Sequence, residues 1–331
     1  MKVIIPLAGF GTRLRPHTYS KPKPLINVAG KPVLGHLLDK LAGLKVEEYI
    51  FVVGYLGDQV EDYVNTEYHL PARFVEQKEM LGQAHAIWLT RDYLDEGPVF
   101  VLFVDTLFEA DLSTLDAPGA DAVIFVKEVE DPRPFGVVTL NGDQYISGFV
   151  EKPTTMDNRL AVIGLYYFKN GKRLIDAIQK LMDNKMMTRG EYFLADAMQL
   201  MVQEGMKFRI EPVSVWLDCG RPDTVLETNR YLLQNSRDNS AEFSNRRDII
   251  IVPPVNIHPS AQISQSVIGP YVTIAANCII SNSFLRDTIV DEGAVCKDTL
   301  MEQSLVGRNA RVEGRFRTAN VGDSSAIGFV G

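Results

Sequence analysis

Apolar residues in the first third of the chain fall into two alternating patterns. Residues 3–7 form a short, β-branched run closed by Gly9 and Gly11, the mark of a buried strand. Residues 31–44 (KPVLGHLLDKLAGL) then place Leu34, Leu37, Leu38 and Leu41 at helical spacing. The alternation continues. Residues 47–55 (EEYIFVVGY) predict a second buried strand and 56–65 a second helix; 82–94 predict a third helix, and 97–105 (GPVFVLFVD) a strand ending in Asp105. Strand and helix in turn predict an α/β fold, a Rossmann-like and mostly parallel sheet with helices on both faces. The middle reads differently: 121–129, 135–141 and 146–153 predict strands joined by tight turns, so the sheet is mixed. Helical patterns return at 171–182 and 195–205. A strand is predicted over 208–220, and a closing helix over 221–236 with Pro222 near its start.

A polar stretch at 236–248 (SRDNSAEFSNRRD) separates this from a tail of another kind. There Ile257, Ile263, Ile268, Ile274 and Ile280 recur five or six residues apart, with small residues, Gly, Asn and Pro between them. This hexapeptide rhythm predicts a parallel β-helix whose coils stack a ladder of aliphatic side chains. It becomes irregular after Phe284 and is read again at Val290, Val295, Leu300 and Leu305, which allows only a few coils. The expected organisation is a first domain over 1–235, a linker over 236–253 and a short β-helix over 254–331. A short stack leaves apolar ends open, so a homo-oligomer is expected, with the tail contributing contacts.

Charge narrows the partners. The 331 residues carry 42 acids and 34 lysines and arginines, a net charge of -8, which argues against a nucleic-acid partner. No apolar run approaches the roughly 20 residues of a membrane helix, and no signal-peptide core precedes the first polar turn, so a cytoplasmic protein without membrane partners is expected. Cys219, Cys278 and Cys296 show no C-x-x-C pairing, which argues against a disulfide framework or a structural zinc site. Yet Arg13, Arg15, Lys21 and Lys23 all precede the first acid of the chain, Asp39. Such a local positive field suits a small anionic ligand.

The loop holding these cations is not a familiar dinucleotide turn. G-x-G-x-x-G would need glycine where Leu14 stands, and no P-loop sequence is present. What remains is a turn whose backbone N–H groups can face phosphate, an arginine able to grip phosphate oxygens bidentately, and lysines held between prolines in KPKPL. From the residues alone, a solvated basic loop remains the alternative.

The stretch LAGFGTRLRPHTYSKPKPLINVAGKP, residues 7–32, resembles the signature of the sugar-1-phosphate nucleotidylyltransferases: G-x-G-T-R-L-x-P-x-T, then P-K-P-L, then K-P. Further segments resemble that family in order: EQKEMLGQAHAIW, VLFVDTLFEADL, PRPFGVVTL, GFVEKP, AVIGLYYF, RGEYFLADAMQLM and VWLDCGRPDTVLETN. The resemblance spans about residues 1–235, and a left-handed β-helix tail recurs among longer members. It implies Mg²⁺-dependent, in-line attack of a sugar 1-phosphate on a nucleoside triphosphate, giving a nucleotide sugar and pyrophosphate. These two substrates are the implied partners, with dTTP or UTP and glucose 1-phosphate favoured. Arg13 and Lys23 are the implied catalytic cations. Leu7, Gly9, Gly11, Thr12, Gln77 and Gly82 would bind the nucleotide, and Gly136, Glu151 and Lys152 the sugar phosphate. Asp105 and Asp218 would hold Mg²⁺. His85, in an apolar helix, reads as a packed histidine, and Cys219 as filler. Val104 and Ile163 depart from the family pattern near the sugar and leave its identity open. Two alternatives are a non-catalytic regulatory homologue that binds a sugar nucleotide, and a bifunctional enzyme with an acyltransferase in the β-helix, where His258 is the one available base.

Overall fold

Strand β1 (Lys2–Pro6) is an interior strand of a nine-stranded sheet, and its Val3, Ile4 and Ile5 are fully buried. The structure is a computed structural model and describes residues 1–116 and 118–314. Beside β1, in parallel, run β2 (Glu48–Val53) and β4 (Val99–Leu102), and β3 (Ala72–Glu76) extends the sheet beyond β2. The crossovers between them carry α1 (Val33–Leu41), α2 (Gly57–Glu67) and α3 (Gln83–Trp88), as right-sized connections between parallel strands must. On the other side β9 (Leu160–Phe168) runs antiparallel to β4 and to β6 (Ala122–Glu128). A hairpin of β7 (Gly136–Leu140) and β8 (Ile146–Glu151) completes that edge. Helices α4 (Gly171–Asp183) and α5 (Leu194–Gln203) place Leu174, Ile178, Leu181, Leu194 and Met198 in one apolar cluster with sheet residues Ile4, Val101 and Ile124.

Three expected elements differ in detail. The third helix stops at Trp88, and a separate 3₁₀ turn follows over Arg91–Tyr93. The strand expected to end in Asp105 ends at Leu102, which leaves Asp105 in the turn before β5 (Thr106–Glu109). The strand expected over 208–220 is two. Strand β10 (Phe208–Pro212) joins the main sheet beside β6, whereas β11 (Val215–Asp218) pairs with β5 in a second, two-stranded sheet. The chain changes partner where Val213 N–H donates to Val126 and Ser214 N–H to Glu109. Helix α6 (Pro222–Leu232) follows.

The chain divides into two compact units. One comprises residues 1–26 and 31–228; the other comprises 27–30 together with the chain from 229 onward. In the second unit the early segment is gripped by late residues: Asn229 Oδ1 accepts from Ala29 N–H at 2.9 Å, and Arg237 Nε donates to the Ala29 carbonyl at 3.2 Å. A Cβ on Gly30, whose φ is +83°, would lie 2.1 Å from Asn256 Oδ1, so only glycine fits there.

The tail of this unit is a stack of short parallel strands. Their register makes three inner columns: Ile251, Ile268, Leu285 and Met301; Ile257, Ile274, Val290 and Val306; Ile263, Ile280, Cys296 and Val312. The five isoleucines of the sequence rhythm are all buried. Beyond Phe284 the rhythm read at Val295, Leu300 and Leu305 is displaced by one. Cys296 and Val306 are buried, and Leu300 is 78% exposed. Side chains alternate faces along a strand, so a one-residue error turns every later assignment inside out. Strand Ile249–Ile251 already pairs with Ser266–Ile268, so stacking begins within the stretch expected to be linker. Residues 315–331 of the expected β-helix lie outside the described residues. Cys219, Cys278 and Cys296 are buried free thiols. Among the described residues no helix is long and apolar enough to cross a membrane.

Candidate active site

The site lies in the first unit, at the ends of β1, β3 and β4, where parallel strands direct their loops to one edge. Two adjoining cavities occur there, of about 370 and 620 Å³. The first is lined by Leu7, Gly9, Gly11, Thr12, Gln77 and Gly82, with Lys23. Gly136, Glu151, Lys152 and Asp218 line the second. Arg13 and Asp105 line both. Every residue that the resemblance implied for catalysis, nucleotide, sugar phosphate or metal therefore lines this cleft, whereas Arg15 and Lys21 of the basic segment line neither cavity.

The signature loop owes its shape to close packing. Gly11 has φ +60°, and a Cβ there would lie 3.0 Å from Lys23 Cβ and 3.1 Å from Thr18 Cγ2. Thr18 Oγ1 donates to the Gly11 carbonyl at 2.9 Å. The glycine turn is thus folded onto the start of KPKPL, where a 3₁₀ turn (Lys23–Leu25) follows Pro22. Lys23 Nζ lies 3.0 Å from Asp105 Oδ2, with the lysine side chain 15% exposed and the aspartate 37%. Arg13 is exposed and forms no ion pair with any described residue, which leaves its guanidinium open to an anion.

The two aspartates are tied through their strands. Cys219 N–H donates to the Asp105 carbonyl at 2.8 Å, and Asp218 lies opposite Thr106 in the β5–β11 ladder. Asp218 is oriented from beneath: Gly220 N–H donates to Oδ1 at 3.0 Å and Thr224 Oγ1 to Oδ2 at 2.9 Å. Each carboxylate oxygen keeps a further lone pair. Gly220 permits this, since a Cβ there would meet Asp218 Oδ1 at 2.9 Å. Among the described residues no three His, Cys, Asp or Glu gather into a metal-binding cluster. A pair of carboxylates suits Mg²⁺, which takes one or two from the protein and completes its oxygen shell with phosphates and water. Burial pushes the Cys219 thiol up to about 12, so it stays protonated beside these acids.

In the second cavity Glu151 stands opposite Gly136 in the β7–β8 ladder, and a Cβ on Gly136 would meet Glu151 Oε2 at 2.9 Å. Burial raises the Glu151 carboxyl above its usual range, and the nearby Lys152 and Arg189 charges oppose that shift. Lys152 has φ +49°, a left-handed conformation uncommon for lysine, fixed by its N–H donating to the Phe135 carbonyl at 3.0 Å. Phe135 and Trp216 meet edge to face at 4.8 Å. Both line this cavity, as does Phe103, which is shared with the first. Sequence reasoning gave these aromatics no role, although all three lie within motif segments it had found. Val104 and Ile163 line the first and second cavities respectively. His258, in the tail unit, has Nδ1 2.8 Å from Ser260 Oγ.

The loops of this α/β sheet thus gather glycines, basic groups and two carboxylates in one cleft, a setting suited to phosphate-bearing ligands. Comparison with known proteins makes this specific. The nucleotidyl transferase family matches residues 2–235, and the GMPPB C-terminal domain matches 251–328. A glucose-1-phosphate thymidylyltransferase of Streptomyces griseus is 28% identical, over 94% of this chain and 93% of its own. The bifunctional protein GlmU of Methanocaldococcus jannaschii is 36% identical over 70% of this chain, a match that spans 54% of that relative. The fold matches a UDP-glucose pyrophosphorylase from Acinetobacter baumanii with a TM-score of 0.61, at 21% identity over 73% of this chain and 96% of that one. The chain belongs to the nucleotidyl transferase family, among its sugar-1-phosphate nucleotidylyltransferases.

Proposed function

We propose that the chain transfers a nucleotidyl group from dTTP or UTP to a sugar 1-phosphate, with glucose 1-phosphate the first candidate, and that Mg²⁺ is required. The observation that carries this reading is that Arg13 and Asp105 line both cavities. A nucleotide in the first cavity and a sugar phosphate in the second would meet between these two side chains. A sugar phosphate oxygen attacks the α-phosphorus, a new P–O bond forms, and the α–β anhydride bond breaks to release pyrophosphate. The attacking oxygen is already ionised, so no general base is needed; the barrier is the approach of two anions.

The residues answer that barrier. Arg13, which forms no ion pair with any described residue, meets the charge that grows on departing pyrophosphate. Lys23 exchanges the Asp105 carboxylate for phosphate oxygen when the triphosphate enters. Lys152 holds the sugar phosphate, and Glu151 faces the sugar. Phe103, Phe135 and Trp216 give the cleft apolar walls that strengthen these charge interactions by excluding water. Asp105 and Asp218 would hold Mg²⁺, which would supply additional neutralisation of the phosphates. Gln77 and Gly82 address the base.

The test is pyrophosphate release from the full chain with a panel of nucleoside triphosphates and sugar 1-phosphates. Turnover with dTTP or UTP and a hexose 1-phosphate supports the reading; tight binding without turnover would instead favour a regulatory homologue.

We also propose a homo-oligomer. On the outside of the tail, Ile250, Val267, Phe284 and Leu300 stand in one column; Ile250, Phe284 and Leu300 are 61%, 38% and 78% exposed. A second copy covering this stripe would remove it from water, and light scattering on the full chain reports whether it does.

A further inference from the structure

At the wall of the first cavity, Gln77 is paired with the buried His85, a contact to which the reading above gives no role. Gln77 lines the cavity and is 5% exposed; His85 is 8% exposed and does not line it. Gln77 N–H donates to the Val53 carbonyl at 2.8 Å, which fixes its backbone at the end of β3. Its side-chain Nε2 lies 3.2 Å from the Gly82 carbonyl and 3.2 Å from His85 Nδ1.

A carbonyl oxygen only accepts, so the atom facing Gly82 must be the amide nitrogen, and this sets the orientation of the whole amide. That nitrogen has two hydrogens. One goes to Gly82, and the other can go to His85 only if Nδ1 is unprotonated. The imidazole therefore carries its proton on Nε2. Burial lowers its pKa, against the opposing influence of Glu79, so the ring is neutral near neutral pH. The ring is held in turn, stacked at 6.2 Å from Trp88, whose Nε1 donates to Gln179 Oε1 at 2.7 Å. Gly82 is equally fixed. Its φ is +104°, and a Cβ there would lie 2.6 Å from the Tyr192 carbonyl. Both donors of Gln77 are spent within the protein, and Oε1 accepts from no described residue.

We propose that His85 is a positioning residue that locks the Gln77 amide with its oxygen available to the base, so that the site selects pyrimidines carrying N3–H over cytosine. The proposal rests on the first cavity being the nucleotide pocket. Uracil and thymine present N3–H to an acceptor. Cytosine presents a lone pair at N3, and two acceptors would then face each other in a buried site. A glutamine free to turn over could serve either base; one clamped by His85 and Gly82 serves only the first. Sites built on such a bond reject the analogue lacking it far more strongly than apolar pockets do.

The test uses the full chain, glucose 1-phosphate, and the ratio of kcat/KM for UTP (or dTTP) to that for CTP. The wild type should favour N3–H bases by at least about 10². His85→Phe keeps the ring's bulk without its acceptor and should narrow the ratio at least tenfold, chiefly through a higher KM for UTP. His85→Asn can place Oδ1 where Nδ1 stands and should keep the ratio. A folded His85→Phe protein with the wild-type ratio, or with all triphosphates weakened alike, overturns the lock. So does a wild type that prefers CTP. Gln77→Leu separates the two levels: if it leaves the ratio intact, the pocket reading itself fails, and if it alone collapses the ratio, only the role of His85 fails. Nitrogen-15 NMR of histidine-labelled wild type checks the pairing without any variant. The Nε2–H tautomer is expected, and an Nδ1–H tautomer overturns it.

Discussion

The cleft and the tail are built on opposite principles. In the tail, neighbouring coils offer equivalent positions: Ile257, Ile274, Val290 and Val306 occupy the same column and do the same work. In the cleft no position repeats. Gly11 exists for Lys23, Gly220 for Asp218 and Gly82 for Tyr192, each through one close approach that a Cβ would spoil. Redundancy suits a scaffold, whose stability is a sum of similar contacts. Chemistry needs particular groups at particular distances, and losing one is not offset by its neighbours.

This contrast predicts where substitutions hurt. The largest effects on activity should come from Asp105→Ala and Asp218→Ala, each lowering kcat by about 10²–10³, as loss of one transition-state electrostatic contact does. Each should also lower thermal melting modestly: Asp105→Ala removes the carboxylate partner of Lys23, and Asp218→Ala leaves the Gly220 N–H without its acceptor and Thr224 Oγ1 with only the Arg221 carbonyl. EDTA should abolish turnover and Mg²⁺ restore it; unimpaired turnover in EDTA would remove the metal assignment. Arg13→Ala comes next, with kcat down by roughly tenfold to 10² and an unchanged melting curve, since the side chain has no ion-pair partner among the described residues. An equally active Arg13→Ala protein would return the segment to a solvated basic loop.

In the tail the pattern should invert. Ile274→Val removes one methyl from a column and should cost about 0.5–1.5 kcal/mol of stability in denaturant unfolding, with kcat preserved. Loss of kcat with unchanged stability would break the division between scaffold and chemistry. Smallest is Leu300→Gln on the exposed stripe, within about 0.5 kcal/mol for the fold but shifting the molecule toward monomer in light scattering.

The same contrast explains what the sequence disclosed. That the glycine turn, Lys23 and both aspartates line one cleft was legible because each motif is local and chemically demanding; that Lys21 of KPKPL is buried and lines neither cavity was not. The first tail coils were legible because isoleucine marks the inner face. Of the later coils only Val290 was read on the correct face: Val295, Leu300 and Leu305 are as aliphatic as the inner Met301 and Val306, and Cys296 gives no signal of its own. Splitting 208–220 between two sheets depends on Val126 and Glu109, far away in sequence. The grouping of 27–30 with the tail rests on Asn229, 200 residues on, which no local pattern announces. His85 read as a packed histidine, and packed it is; its bond to Gln77 depends on the turn at Gly82 and emerges only in three dimensions.

The central claim is that one cleft joins a nucleoside triphosphate to a sugar 1-phosphate. Its most direct measurement is single-turnover reaction of the full chain with α-³²P-labelled dTTP or UTP, glucose 1-phosphate and Mg²⁺. Label should pass into a nucleotide sugar in step with pyrophosphate release, and added pyrophosphate should drive it back to triphosphate. Label that remains in triphosphate across the sugar 1-phosphate panel, with both substrates bound, would contradict the account.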